Sequence, residues 1–286
     1  TDPHLSEYVA PHWKSREWIS GFTGSAGTVV ITTSQAGLWT DSRYFLQAAQ
    51  QLKGTEIKLY KEMLPETPSI SAFLSTQLTP GDAVGIDGKM FSAEEVERMQ
   101  AELQKCQIKV KSISDPLDKL WTDRPPMPEA PAFIYETQYA GKSSIEKIAI
   151  IRKELKKCNA KALFLSALDE IAWTLNLRGN DVHCNPVLVS YLLIEENETH
   201  YFIQPQKITA EVATYMKETG VNLHTYEEAE AYLSRISVES LLLNPAKTNY
   251  TMYSAVNPDC RIIHGASPVT LLKAIRNEQE IAGIHA

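Results

Sequence analysis

Residues 21–45 read GFTGSAGTVVITTSQAGLWTDSRYF, and the rest of the chain can be arranged around them. The stretch opens in a glycine-rich turn and continues through a β-branched run at 28–33. A short polar connection, 34–37, then leads into Leu38, Trp39 and Thr40. Two β-type segments joined by a tight polar loop with a glycine predict a hairpin. Asp41 is placed to cap the helix that follows, because its carboxylate can accept from the unpaired N–H groups of the first turn. Arg43 sits inside that same turn, where a cation meets the positive end of the helix dipole. Such an arginine is either solvated or aimed at something negative.

At 286 residues and 43% hydrophobic content, the chain is long enough for two domains, each with its own core. A net charge of −7 argues against a nucleic-acid partner, which normally requires a basic face. No apolar run reaches membrane-spanning length. The longest clean one, 187–194, reads as a strand. Nothing at the start reads as a signal peptide, and without an initial Met the natural N-terminus is expected further upstream. Cys106, Cys158, Cys184 and Cys260 are far apart and form no CxxC pair, which suits a reducing cytoplasm and unpaired, mostly structural thiols.

In chain order, 1–16 is polar with scattered aromatics, and His4 and His12 there read as solvated or capping groups rather than metal ligands. A helix is expected over 42–53 with Tyr44, Phe45, Ala48, Ala49 and Leu52 buried, then a strand at 56–60 and a helix at 69–77. Residues 83–87 (AVGID) read as a buried strand. Ser92 with Glu95 forms a capping box for a helix over 93–104, and 108–113 is a further strand. This alternation predicts an α/β domain over 1–124. Residues 125–131 hold four prolines, excluding helix and central strand, and mark the linker.

The second domain, 132–272, repeats the first. Ser143 or Ser144 opens an amphipathic helix through 157. Residues 162–168 form a strand, and a helix begins at Asp169. A polar loop at 179–186 leads to the strand 187–194, a turn, a strand at 200–203 and a helix over 206–219. Tryptophan helix, glycine-bearing loop, apolar strand, polar turn, aromatic strand and helix recur in the same order, predicting a duplicated fold. The second copy carries Gln204-Pro-Gln206 where the first has Asp41-Ser-Arg43, so it lacks the arginine. Short strands at 223–226, 241–243 and 261–264 follow, and 268–286 reads as one charged amphipathic helix.

The residues offer no self-sufficient active site. Gly24-Ser-Ala-Gly27 is followed by a strand and lacks GK[ST], so it is neither a phosphate loop nor a nucleophile elbow; its glycines serve a tight turn. Asp169 and Glu170 do not face each other on a helix and are explained by the helix dipole. His183 and Cys184, as neighbours on an extended segment, point to opposite sides. Arg178 and Asp181 are placed to pair and shape a loop or to recognise a ligand, with the structural role ahead. No HExxH, dimetal ligand set or nucleophile triad is visible.

Four motifs carry a resemblance. They are Asp2-Pro-His-Leu-Ser-Glu-Tyr-Val-Ala-Pro11, GFTGSAGT (21–28) with WTDSRYF (39–45), Leu120-Trp-Thr-Asp-Arg-Pro125, and ALDEIAW (167–173) with NLRGND (176–181) and Asn185-Pro186. In this order the chain resembles the N-terminal region of the three-domain Xaa-Pro aminopeptidases, or aminopeptidases P, of the creatinase/prolidase superfamily. The resemblance implies two tandem creatinase-N-type α/β domains, each a mixed sheet flanked by helices. It also implies a third, pita-bread domain after Ala286, led into by 273–286, and a short strand before Asp2. That third domain would hold two divalent ions, expected to be manganese, on two aspartates, two glutamates and a histidine. Catalytic and metal residues are therefore expected to be none in this chain, with no cofactor of its own. The family's substrate-binding arginine falls on Arg43, with Ser42 in place of the usual glycine. Its alternative role is an ion pair with Asp41. The resemblance further implies a proline-containing peptide as substrate, a homodimer for the full-length enzyme, a cytoplasmic location, and no nucleic-acid or membrane partner. A competing reading is a stand-alone protein-binding module of creatinase-like fold, as in a histone-chaperone subunit. Creatine or dipeptide hydrolases fit less well, because they carry one such N-terminal domain and this chain carries two.

Overall fold

The computed structural model describes residues 1–285. In the first half, β1 (Thr28–Ile31) and β2 (Ala36–Thr40) form the expected hairpin, and β3 (Ile57–Lys61) returns parallel to β2 after a helix. The register sets Thr28 opposite Trp39 and Leu38 beside Leu59. Alternation then sends consecutive residues of β2 to opposite faces. Trp39 stacks on Tyr60 at 4.0 Å and meets Phe73 edge-on, with its indole N–H donating to the Pro68 carbonyl at 2.9 Å. Leu38 faces the other way, against Phe22, Ala48 and Leu52. A second, parallel pair, β4 (Ala83–Asp87) and β5 (Lys109–Ile113), completes this half.

The second half opens with the short pair β6 (Phe133–Ile134) and β8 (Leu177–Arg178). Its main sheet has six strands in the order β11-β10-β9-β7-β12-β13, where β7 is Ala162–Leu165, β9 Ser190–Glu195, β10 Thr199–Ile203, β11 Asn222–His224, β12 Ser240–Leu243 and β13 Arg261–His264. The central strand β7 runs antiparallel to β9 and parallel to β12. Both of its faces are covered. Leu163 and Leu165 enter one core with Ile148, Ile151 and Leu155 of the helix Ser144–Lys157, whereas Ala162 and Phe164 enter another with Leu233 and Met252. An unbroken apolar run with no polar face is what such a strand requires.

The duplication is explicit in the pairing. β9 and β10 are an antiparallel hairpin and β11 joins β10 in parallel, as β3 joins β2. β12–β13 then corresponds to β4–β5. Among the described residues, no strand of the first half stands where β7 stands, so β1-β2-β3 and β4-β5 remain separate sheets. Both capping boxes are present: Ser92 with Glu95, and Ser143 with Glu146. The halves are joined by backbone contacts, with the Tyr250 N–H donating to the Phe91 carbonyl and the Ala93 N–H to that of Thr248.

Several expectations are corrected. Residues 83–87 are not a buried strand; with only β5 beside them, Ile86 alone is buried. The strand expected over 187–194 starts at Ser190, because the Val189 N–H is taken by the Asp181 carboxylate instead of by a neighbouring strand. Ala49 faces solvent. The helix expected over 206–219 is a 3-10 turn, Pro205–Lys207, then the helix Ala210–Glu218 capped by Thr209. The helix expected over 268–286 divides into Pro268–Ala274 and Glu278–His285, because Asn277 caps the second segment by accepting from Glu280 N–H; Ala286 lies outside the described residues.

Candidate functional site

The order of loop, hairpin and turn builds a rigid lip in the first half. The Gly24 position is crowded: a Cβ there would lie 2.2 Å from the Phe22 ring. Arg16 donates to the carbonyls of Gly27, at 2.9 Å, and Gly24. The Thr40 hydroxyl donates to the Ala26 carbonyl at 2.7 Å, and the Ser25 and Tyr44 hydroxyls meet at 2.7 Å. The loop before β1 is thereby fastened to the turn after β2.

That turn is a 3-10 segment, Ser42–Tyr44, capped by Asp41, whose carboxylate accepts from Arg43 N–H. The Arg43 side chain is 59% exposed. Its Nε and Nη2 donate to the two oxygens of Asp41 at 3.0 and 2.8 Å, and its Cζ lies 5.3 Å from the Tyr44 ring centroid. The hydrogen bond from Arg43 holds the Asp41 carboxyl below the usual range and raises the arginine in turn. This is the Asp41 ion pair left open as an alternative to substrate contact. The fork spends one edge on Asp41, and its other N–H groups remain available to an acceptor.

The second copy treats the same turn differently. Lys207, closing Pro205–Lys207, points inward to Asp181 in the loop before β9, with Nζ 2.5 Å from Oδ2 and both side chains fully buried. Burial pushes the Asp181 carboxyl up and the Lys207 ammonium down, and the opposite charge of each partner resists the shift. Asp181 therefore does not pair with Arg178. The Arg178 guanidinium donates instead to the carbonyls of Ala172 and Leu177 and lies over the Tyr135 ring at 4.5 Å.

The remaining candidates divide. Asp169 pairs with Lys273, and Glu170 accepts from Thr270 at 2.5 Å, so neither carboxylate faces the other. His183 and Cys184 are exposed. The four cysteines are unpaired, yet only Cys260 is buried, which corrects the mostly structural reading. His4 is not solvated: its ring contacts the Ser166 carbonyl at 2.9 Å and the Tyr226 hydroxyl at 3.0 Å within the second half. His12 meets the Pro125 carbonyl at 2.7 Å.

Three features escaped sequence reasoning. Lys147 is buried beneath Trp173, donating to its carbonyl at 2.9 Å and to Asn176 Oδ1 at 2.6 Å. A cavity of about 280 Å³ opens where β7 and β12 end, lined among others by Ser166, Glu170, Asn244 and Lys247. Among the described residues, Glu195, Glu198 and His200 are the one grouping of three metal-type donors. No local pattern marks the first two features, because their partners are far apart in sequence. Glu195, Glu198 and His200 fall within six residues on the expected turn and strand, but the spacing alone does not show that their side chains meet.

Comparison with known proteins places this geometry. Two family models described as Creatinase/Prolidase N-terminal domain match, one over residues 4–120 and the other over 123–280. The chain is 38% identical over 287 residues to Xaa-Pro aminopeptidase ApepP of Drosophila melanogaster, covering 99% of this chain and 47% of that protein. It is 33% identical over 316 residues to Aminopeptidase P2 of Arabidopsis thaliana, covering 99% and 44%. Among solved structures, the X-prolyl aminopeptidase of Caenorhabditis elegans, a cytosolic enzyme with a di-nuclear active site, superposes with a TM-score of 0.92 at 30% identity, covering 99% of this chain and 47% of that one. The chain thus spans a little under half the length of these relatives. It belongs to the creatinase/prolidase N-terminal domain family, of which it carries two tandem copies.

Proposed function

We propose that this chain is the non-catalytic N-terminal part of a metal-dependent Xaa-Pro aminopeptidase, an enzyme that removes the first residue from peptides with proline in second position. The observation that carries the reading is the continuous likeness of both halves, in one chain, to the C. elegans enzyme over 99% of their length. The two modules, 1–124 and 132–272 about the linker 125–131, would narrow the cleft of a following catalytic domain and restrict it to short peptides. Arg43 would offer its unspent N–H groups to a peptide carbonyl or carboxylate, while Asp41 keeps the guanidinium plane oriented. A cytoplasmic location for the full-length protein is supported by the cytosolic C. elegans enzyme, and a homodimer is part of the same proposal.

The implied dimetal centre, expected to hold manganese, needs two aspartates, two glutamates and a histidine. Among the described residues the assembled donors are two glutamates and one histidine on a hairpin turn, remote in sequence from Arg43. They do not fit that five-ligand set, and we assign the metal chemistry to the catalytic domain of the full-length enzyme. The test compares full-length enzyme with a version lacking residues 1–272 on Xaa-Pro peptides of increasing length. The shortened enzyme is expected to lose its preference for short peptides. Identical kcat/KM at every length would refute the cleft-narrowing role.

A further inference from the structure

The turn between β9 and β10, Glu195-Glu-Asn-Glu198, brings two carboxylates together with His200 of β10. One oxygen each from Glu195 and Glu198 and a ring nitrogen of His200 all lie within 4.8 Å of one another. We propose that Glu195, Glu198 and His200 form a binding site for a divalent transition metal ion, with zinc as the ion of matching chemistry. An imidazole with two carboxylates is a donor set that suits zinc, leaving the fourth tetrahedral position to water. Calcium and magnesium favour oxygen alone.

The spacing is close to what such an ion needs. His200 Nε2 lies 3.2 Å from Glu198 Oε2. Two ligands at ordinary zinc bond lengths on a tetrahedral edge are separated by about 3.4 Å. Glu195 supplies the third donor, with an oxygen within 4.8 Å of both.

The backbone beneath is already fixed. Arg152 donates from Nε to the Glu195 carbonyl at 2.8 Å and from Nη2 to the Glu198 carbonyl at 2.9 Å and the Thr199 hydroxyl at 3.1 Å. The Glu195 N–H donates to the Glu198 carbonyl at 2.9 Å, closing the turn. Arg152 is thereby spent on main-chain oxygens. Among the described residues neither the Glu195 nor the Glu198 carboxylate is paired with a lysine or arginine; the nearby Lys156 reaches Glu196 instead. A cation bound between them would offset the repulsion of these two carboxylates.

His200 also has the outer support typical of a metal ligand. Its side chain is almost wholly buried, and Nδ1 lies 3.0 Å from His224 Nε2 on the adjacent strand. In the tautomer that donates Nδ1–H to His224, the lone pair of Nε2 faces Glu198 and can serve an ion. The Tyr232 hydroxyl lies 3.0 Å from the same Nε2; in that tautomer it donates to the lone pair and would yield it to the ion.

The 286-residue chain, stripped of metal, can be titrated with zinc chloride by calorimetry and with cobalt(II) by visible absorption. One equivalent of zinc should bind saturably, and cobalt should give the d–d bands of a four-coordinate nitrogen and oxygen site. Glu198→Gln, at an exposed side chain that the fold does not need, should weaken binding by about tenfold or more, and Glu195→Gln likewise. Glu196→Gln should change nothing. Zinc should raise the unfolding midpoint of the unaltered chain and not that of Glu198→Gln. The proposal is overturned if no saturable binding occurs, or if both glutamine variants bind as tightly as the parent. A thiolate-to-cobalt charge-transfer band would also overturn it, because it would place the ion on an exposed cysteine.

Discussion

Replacing Lys207 by methionine should destabilise the protein strongly at neutral pH and far less in acid. The ammonium lies 2.5 Å from Asp181 Oδ2, and neither side chain reaches solvent. The same oxygen accepts from Val189 N–H at 2.6 Å, while Oδ1 has no partner at all. Methionine keeps the apolar stem and deletes the charge, leaving a buried carboxylate with one backbone donor. Breaking a buried pair from one side costs about 3–5 kcal/mol. For modules of this size that is a fall in Tm of roughly 6–20 °C.

The carboxylate has one escape, which is to take up a proton. Its ordinary value is 3.8, burial already raises it in the native protein, and loss of the lysine raises it further. Between the unfolded and the raised native value, the native state holds more protons than the unfolded state, so stability falls as pH increases. Below the unfolded value both states are protonated and the penalty disappears. The difference between Lys207→Met and the parent should therefore be greatest near neutrality and shrink toward about pH 4. Adding Asp181→Asn removes the charge at every pH while leaving an oxygen for the Val189 N–H, and should recover most of the loss. Urea unfolding followed by circular dichroism and tryptophan fluorescence reads all three chains. A cost under about 1 kcal/mol, equal in acid and at neutrality, would show that Asp181 is not a buried charge.

Arg43→Ala in the full-length enzyme should lower kcat/KM for Xaa-Pro peptides roughly 10- to 100-fold, the size of a lost charge-assisted hydrogen bond, without moving the unfolding midpoint. Arg43→Lys should not restore it, since a point charge cannot hold Asp41 and a substrate oxygen in one plane; unchanged kcat/KM would remove Arg43 from the substrate path. Lys147, pushed by burial from 10.5 to about 8, gives up its proton in the native state before the unfolded state does, so stability should rise between those values by about 3 kcal/mol. Urea midpoints across that window should show the rise, and Lys147→Met should abolish it. Gly24→Ala should cost about 1–3 kcal/mol by forcing the Phe22 ring aside, read as a shift in the urea midpoint.

What the sequence disclosed was whatever its neighbours determine. Ser92 with Glu95 and Ser143 with Glu146 announce helix starts because the capping box is a contact over three residues. The hairpins are legible for the same reason, and so was the break at Asn277, whose Asn-x-x-Glu280 spacing is the same signal, overlooked inside a charged run. The misreadings depend on distant partners. His4 looks like a solvated terminal residue until Ser166 and Tyr226 are found around it. Residues 187–189 look like strand until Asp181 claims the Val189 N–H. Arg178 and Asp181 are close in sequence and look paired, but each has a stronger claim elsewhere: the guanidinium on carbonyls and the Tyr135 ring, the carboxylate on Lys207.

The two copies show how one turn can serve opposite ends. In both, the loop before the hairpin must be tied to the 3-10 turn after it, or the entry angle of the following helix is unconstrained. The first copy makes this tie with neutral groups, Ser25 to Tyr44. The second makes it with charges, Asp181 to Lys207. A neutral tie has little desolvation cost and leaves the neighbouring cation, Arg43, at the surface with Asp41. A charged tie commits the cation to the interior, where its burial cost is offset only by its one partner. The arginine at the lip and the lysine in the core are therefore alternative placements of positive charge on a duplicated turn. Moving the charged tie into the first copy, by Ser25→Asp with Tyr44→Lys, would load that lip with a second ion pair. Such a variant should weaken substrate binding in the full-length enzyme through competition for Arg43, even where its fold survives.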